Sequence, residues 1–451
     1  MPIRERLAIA ISDSFLGGSW TADGLLTRAQ SVFVQDIQRQ WLRELVDRVL
    51  MAFPATSARP TQRHLQEYVA AQAVIPKPER VPGTTRFRRR IQSWQSQMQP
   101  ADGAAKLWSV PALVTIAELA AWFEITVGEL EWFANRTGWN TEHSGNVPAK
   151  ETLGHYRYRW LAKPSGGQRL LETPKPRLKS LQRKILTGIL NHVPAHRAAH
   201  AFRRGRSVAT YLSPHAGQQV VLHIDLREFF PSVHASRVHA AFRTMGYPER
   251  IAGLLTGLCT NDTPSAILYS ADGQRVDEGT WLRQRAKHLP QGAPTSPALA
   301  NLCAYKLDCR LEGLARTVSA QYTRYADDLV FSGEFESQKS LARLRILINA
   351  IILDEGFEIR HRKTQVMPAG TRQQVAGVRL NVHPNIPREA FDELKAILHN
   401  CWRYGPGSQN RTGHPNFRDH LNGRLAYWSS ICPVRIVKLQ EMFDRIEWTE
   451  Q

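Results

Sequence analysis

The sequence is poor in cysteine, with Cys259, Cys303, Cys309, Cys401 and Cys432 the only five in 451 residues. An odd, widely spaced set with no Cys-x-x-Cys or Cys/His cluster excludes a disulfide framework and a zinc site of the usual spacing. Long hydrophobic runs are also missing. The longest early one, Leu7 to Ile11, follows a charged start and is too short for a signal-peptide core or a membrane span. The expectation is a soluble, cytoplasmic protein with no membrane partner. Internal repeats are absent, and low complexity is confined to a short Gln-rich piece before Pro100.

Acidic residues are scarce beside basic ones: 40 Asp plus Glu against 59 Lys plus Arg, a net charge of +19. That balance suits a protein that neutralises a polyanion, the plainer alternative being a merely basic enzyme. The excess is uneven, with 17 basic against 14 acidic residues in 1–150 and 42 against 26 in 151–451. The polyanion surface therefore belongs to the later two thirds. The length exceeds a single core and calls for two or three packed subdomains.

Up to about Gln99, apolar periodicity predicts helices over Arg4–Ser14, Asp23–Phe33, Asp36–Met51 and Thr61–Ala73, the last starting at a Thr cap. Arg86-Phe87-Arg88-Arg89-Arg90 is either a phosphate grip or a solvated helix face. Two short apolar segments at about 110–137 read as a helix-turn-helix-like pair. Its acidic surface (Glu118, Glu124, Glu129, Glu131) points to packing more than to DNA reading. Residues 138–150 read as a linker, closing a helical N-terminal extension over 1–150.

A strand from His155 to Trp160 and a Gly-turned partner through Leu171 form a hairpin carrying Lys163 and Arg169. Those cations either meet phosphates or stay solvated. A helix over Leu178–His192 follows, then the basic turn His200-Ala201-Phe202-Arg203-Arg204-Gly205-Arg206-Ser207. Val220 to Ile224 is a β-branched apolar run that delivers Asp225 at its end, with Phe230 five residues on as a candidate aromatic plate. Residues Ser236–Leu258 read as a helix and Asn261–Gly279 as a surface hairpin. Leu289-Pro290-Gln291-Gly292-Ala293-Pro294 is a stiff loop opening a helix through Leu311; it suits either a close ligand approach or a simple helix entry.

Gln321 to Phe331 reads as a hairpin with Asp327 and Asp328 at its tip, taken alone either a solvated turn or a site. A helix over Ser337–Glu355, a cationic strand over Gly356–Val366, a short strand pair over Val375–Asn381 and helices over Glu389–Trp402, Phe417–Ser429 and Pro433–Ile446 complete the chain. Carboxylates at a strand end and at a later hairpin tip, within a basic chain, are the ingredients of a two-metal phosphoryl-transfer site. Hard oxygen donors suit Mg²⁺, with Mn²⁺ as a substitute.

In order, Asp225 to Phe230, Leu289 to Pro297 and Tyr325-Ala326-Asp327-Asp328 resemble the palm strand, Gln-Gly loop and signature hairpin of reverse transcriptases. Lys163 to Arg169 is similar to the fingers hairpin, and Ile359 to Thr364 to the strand after the signature. The His200–Ser207 turn, the Asp225–Val233 stretch ending Phe-Phe-Pro-Ser-Val and Leu289–Asn301 look most like the bacterial retron enzymes. Two positions depart from that pattern: Val375-Ala376-Gly377 replaces Val-Thr-Gly, and no Asn-Ala-x-x-His element lies between Asp225 and Gln291.

The resemblance implies an α+β right-hand polymerase, with fingers and an antiparallel palm over 151–385, a helical thumb over 386–451 and the all-α extension ahead. It implies Asp225, Asp327 and Asp328 as catalytic metal-binding residues. It implies nucleotide contacts from Lys163, Arg169, Phe230, Gln291, Gly292 and Lys363, with Phe230 gating against the ribose 2′-hydroxyl. Primer and template contacts would come from Tyr325, Arg204, Arg206, Leu380 and Asn381. The implied partners are a cognate structured non-coding RNA, its RNA–DNA hybrid, dNTPs and an anti-phage effector. Because the chain ends soon after the thumb, host RNase H is expected to do the trimming. Two alternatives stay open: a defence-associated or intron-like reverse transcriptase with different priming, and an RNA-binding scaffold with a vestigial site.

Overall fold

The computed structural model describes residues 3–16, 20–33, 39–54, 60, 62–74, 108–135, 154–162, 168–269, 276–335 and 337–448. The Arg86–Arg90 cluster, Lys163 and the Thr61 cap lie outside them. In chain order the helices and strands begin with α1 (Ile3–Leu16), α2 (Ala22–Gln30), α3 (Arg39–Ala52), α4 (Gln62–Ala71), α5 (Ile116–Phe123) and α6 (Val127–Phe133). There follow β1 (Tyr156–Ala162), β2 (Gln168–Pro174), α7 (Pro176–Gly188), α8 (Val208–Leu212), β3 (Val220–Asp225), α9 (Ala235–Thr244), α10 (Glu249–Cys259) and α11 (Glu278–Arg285). Then come α12 (Ser296–Cys303), α13 (Tyr305–Thr317), β4 (Gln321–Tyr325), β5 (Asp328–Gly333), α14 (Gln338–Asp354) and β6 (Gln365–Pro368). The chain finishes with β7 (Gln374–Val375), β8 (Val378–Arg379), α15 (Arg388–Tyr404), α16 (Phe417–Ser429) and α17 (Pro433–Asp444). This is the expected α+β class with an all-helical N-terminal region. Among the described residues no helix is long and apolar enough to cross a membrane.

The chain forms two compact units, one of residues 1–194 with 233–299 and one of 195–232 with 300–451. In the first unit, Leu7, Ile11 and Phe15 of α1, Leu25 of α2, Leu42, Leu45 and Val49 of α3 and Leu65 and Val69 of α4 recur at helical spacing and bury a single core. Capping boxes at Thr115 with Glu118 and at Thr126 with Glu129 start α5 and α6. Two acids of that pair meet α7, Glu124 with Lys184 at 2.7 Å and Glu129 with Arg177 at 2.8 Å. The hairpin of β1 and β2 is antiparallel, as its alternation predicts.

Two sequence expectations change here. The helix expected over Ser236–Leu258 is two, α9 and α10, broken where Gly246 takes φ +103° just ahead of Pro248. Of the surface hairpin expected over Asn261–Gly279, residues 270–275 lie outside the described residues; before them stands a 3₁₀ turn at Ser265–Leu268, and Val276 N–H donates to the Leu268 carbonyl at 3.2 Å. In the second unit, the cationic strand expected over Gly356–Val366 begins only at Gln365, because His361–Lys363 close a 3₁₀ turn.

The second unit is built on a four-stranded antiparallel sheet in the order β4-β5-β3-β6. Val221 of β3 pairs with Ser332 and Met367, and His223 with Val330. One face of β3 therefore runs from the apolar floor of Val221, Val330 and Met367 to His223 and Asp225. Leu394, Leu398, Leu421, Leu425, Ile436 and Leu439 close a separate core among α15, α16 and α17.

Candidate active site

Asp225 and Asp328 are register partners across β3 and β5, so their side chains leave the same face of the sheet. Between β4 and β5 the chain turns at Ala326, φ +56°, and Asp327. Leu226 N–H donates to the Asp327 carbonyl at 2.9 Å and Arg360 N–H to the Asp225 carbonyl at 2.8 Å, which holds Asp327 and Asp225 by their backbone. Like charges placed opposite each other destabilise a ladder, and here hydrogen-bond donors offset them. Lys363 Nζ donates to Asp225 Oδ2 at 2.8 Å, and His223 Nε2 donates to Asp328 Oδ1 at 2.7 Å. Asp225 Oδ1 is buried, lies 3.5 Å from Arg360 Nη1 and accepts no hydrogen bond.

Burial, then the charges of Asp328 and Asp225, push the Asp327 carboxyl up to about 6. Among the described residues no three His, Cys, Asp or Glu side chains form a ready-made metal cage. The donor chemistry nevertheless fits a hard divalent cation: hard oxygens, one of them orphaned in the interior, and a carboxyl group whose ionisation its acidic neighbours oppose.

Sequence reasoning missed the group that carries the turn. Arg324, fully buried in β4, donates from Nε and Nη2 to both oxygens of Asp308 at 2.8 and 2.7 Å. Its Nη1 reaches Asn301 Oδ1 and the Ala326 carbonyl, each at 3.1 Å. Tyr322 donates to Asp308 Oδ1 at 2.8 Å. The only sequence signal was an acid on the apolar face of α13, between Leu307 and Leu311. Tyr325 is half-buried against Tyr211, with ring centroids 5.5 Å apart.

Phe230 is half-buried beside Phe229, which stacks on Phe357 at 5.6 Å and lies 5.5 Å from the Arg324 guanidinium. Arg204 and Arg206 are exposed in the turn before α8. A cleft of about 490 Å³ is lined by His223, Arg362, Lys363, Arg372, Gln374 and Gly377 among others. One expected contact is corrected. Leu380 is fully buried in the core beneath β3, so its side chain cannot meet primer or template. Asn381 is half-buried; its side chain donates to the carbonyls of Ala369 and Thr371 and accepts from the N–H of Gln373.

Gln291, Gly292 and Arg169 belong to the other unit. The Gln291 carbonyl accepts from Glu172 N–H at 2.9 Å. Gly292 takes φ +129°, and a Cβ there would lie 3.2 Å from the Glu172 carbonyl, so the loop requires glycine. Below it the fully buried Glu172 accepts from Asn261 at 2.7 Å, Thr263 at 2.8 Å and His288 Nε2 at 2.8 Å. His288 Nδ1 donates to the Ala286 carbonyl at 2.7 Å. Both ring nitrogens face acceptors, so His288 is an imidazolium. Arg169 is exposed on β2.

Residues 161–380 match the family model of reverse transcriptases, RNA-dependent DNA polymerases. The retron Mx65 reverse transcriptase of Myxococcus xanthus is 36% identical over 340 residues, 75% of this chain and 74% of that one. The chain belongs to the retron reverse transcriptases. It is also similar to the retron Mx162 enzyme of Myxococcus xanthus, at 34% identity over 74% of this chain and 66% of that one. The retron Ec86 enzyme of Escherichia coli is 30% identical over 61% of this chain and 77% of that one. The chain is accordingly an RNA-directed DNA polymerase, and the matched region spans β3, the Asp327–Asp328 turn and the Gln291–Gly292 loop.

Proposed function

We propose that this retron reverse transcriptase binds its own structured non-coding RNA and copies part of it into a short DNA, joined to the RNA by a branch at a 2′-hydroxyl, in anti-phage defence. The observation that carries the reading is the negative charge gathered at one end of the sheet, where Asp225 keeps an orphaned buried oxygen and Asp327 resists ionisation. The similarity to the retron reverse transcriptases supports this reading.

Asp225 and Asp327 would hold Mg²⁺, with Mn²⁺ as a substitute and Asp328 as a further ligand or an electrostatic partner. Bound there, the ions would supply Lewis acidity to a 3′-hydroxyl and to departing pyrophosphate. The chain itself contributes position. Phe230 forms a plate against the sugar, Gln291 and Gly292 line the nucleotide, and Lys163, Arg169 and Lys363 offer cations to the triphosphate. Tyr325, Arg204 and Arg206 contact primer and template. An effector protein would read the RNA–DNA product, host RNase H would trim it, and the compartment would be the cytoplasm.

The test is to purify the protein, extract its nucleic acid and digest with RNase and DNase in turn. A uniform short DNA that stays joined to RNA is expected. DNA without attached RNA, or no DNA at all, would overturn the retron reading.

A further inference from the structure

Phe202 is a bulky residue in a left-handed backbone conformation, φ +59°, where glycine or asparagine is the usual occupant. Its neighbours impose this. The Ala201 carbonyl accepts from Asn301 Nδ2 at 2.9 Å with Ala201 fully buried. Arg203 Nη1 donates to the carbonyls of His196 and Ala199 at 2.8 and 2.9 Å. Held on both sides, the chain passes position 202 left-handed and leaves the side chain half exposed.

The ring is 52% exposed, and the aromatic contact it makes is with Phe230, centroids 6.2 Å apart at 48°. A strained backbone that holds an apolar ring in water is a mark of function rather than of packing. The brace is shared with the catalytic turn, because Asn301 also accepts from Arg324, which bonds the Ala326 carbonyl. Phe202 is thus set in the same rigid frame as Asp327. Arg204 and Arg206 in the same turn are exposed cations, and cations interleaved with an exposed ring are the surface on which single-stranded nucleic acid stacks its bases.

We propose that Phe202 is a stacking platform for a nucleobase at the growing end, presented either by the template strand or by the incoming nucleotide. This rests on the polymerase reading of the Asp225 site and adds to it a binding residue on the far side of Phe230. The strain is what makes the site stiff: the ring is presented before any base arrives, so little order is lost on binding.

The experiment uses the full chain with a primed RNA template and compares wild type with Phe202→Ala, Phe202→Trp and Phe202→Gly. Phe202→Ala is expected to raise the KM for dNTP or the Kd for template-primer about 10- to 100-fold, with Phe202→Trp staying near wild type. Phe202→Gly should show the same binding loss with a Tm equal to or above wild type, since glycine relieves the backbone. A Tm lowered by Phe202→Gly with no change in KM or Kd would assign the ring to packing and overturn the proposal, as would Phe202→Ala matching wild type in every constant. A template with an abasic position separates the sources. The gap between wild type and Phe202→Ala closes there if the ring stacks on the templating base, and persists if it stacks on the incoming one. Wild-type extension is the control: if it fails, the polymerase reading itself falls.

Discussion

Lys363 holds its ammonium 2.8 Å from Oδ2 of Asp225, while Oδ1 of the same carboxylate accepts no hydrogen bond. A cation of the chain therefore occupies half of the group proposed to bind the metal. Divalent ions would have to share or displace it. Lys363→Ala is expected to lower the Mg²⁺ concentration for half-maximal primer extension about threefold or more, because the competitor is gone. Turnover should fall roughly 10- to 100-fold through loss of the cation from the triphosphate. A Mg²⁺ titration of extension rates decides it, and an unchanged midpoint would sink the competition.

Phe230 is backed by Phe229, which Phe357 and the Arg324 guanidinium hold from two sides. A plate so fixed should exclude a 2′-hydroxyl by contact rather than by a hydrogen bond. Phe230→Ala is expected to raise ribonucleotide incorporation relative to deoxyribonucleotide about 10- to 100-fold. Single-nucleotide insertion with matched dNTP and rNTP measures the ratio, and equal discrimination would remove Phe230 from the gate.

The pair of Arg324 and Asp308 is bidentate and fully buried. Arg324→Met should cost about 3–5 kcal/mol by leaving Asp308 charged and alone. The double change Arg324→Met with Asp308→Leu should recover most of that stability without recovering extension, since the Ala326 carbonyl still lacks its donor. Urea unfolding beside a primer-extension assay checks both halves. Recovered activity in the double variant would show that the turn does not need the guanidinium.

Much of this site was legible in the sequence because it depends on local pattern. The apolar run ending at Asp225 and the β-branched strands flanking Ala326-Asp327 fold as written, since strand alternation fixes which residues share a face. The Arg324–Asp308–Asn301 network was invisible, because three polar residues on separate elements have no spacing to betray them. The same limit hid the break at Gly246 and let the cations of His361–Lys363 pass for a strand. Leu380 looked like a contact for nucleic acid and is buried in the core, because a side chain's surroundings are set in three dimensions.

The Glu172–His288 pair gives the protein a stability profile in pH. Burial alone would push His288 down, but the Glu172 charge and hydrogen bonds to Glu172 and Ala286 outweigh it and hold the imidazolium above its usual 6.5. Burial would likewise push Glu172 up, and His288, Asn261 and Thr263 bring it below its usual 4.5. The histidine's contribution is complete below its unfolded pKa and is lost as pH rises through the raised folded one. That of the glutamate is lost only as pH falls through its lowered value. Wild-type Tm should therefore decline as pH rises from about 6.5 through the raised pKa of His288. The Glu172→Gln/His288→Gln double variant should lose that slope, and parallel melting curves for the two proteins would refute the assignment.

The pairing of β3 with β5 also decides what kinds of sequence change the chain can survive. Because Asp225 meets Asp328 through six consecutive paired positions, a same-size apolar exchange at Val221 or Leu329 leaves the acids where they are. One residue added inside β3 turns every later side chain to the opposite face and carries Asp225 into the apolar layer. The same addition in the Gly405–Asn416 loop moves no strand. In this enzyme, tolerance to insertion is a sharper map of the catalytic frame than tolerance to substitution.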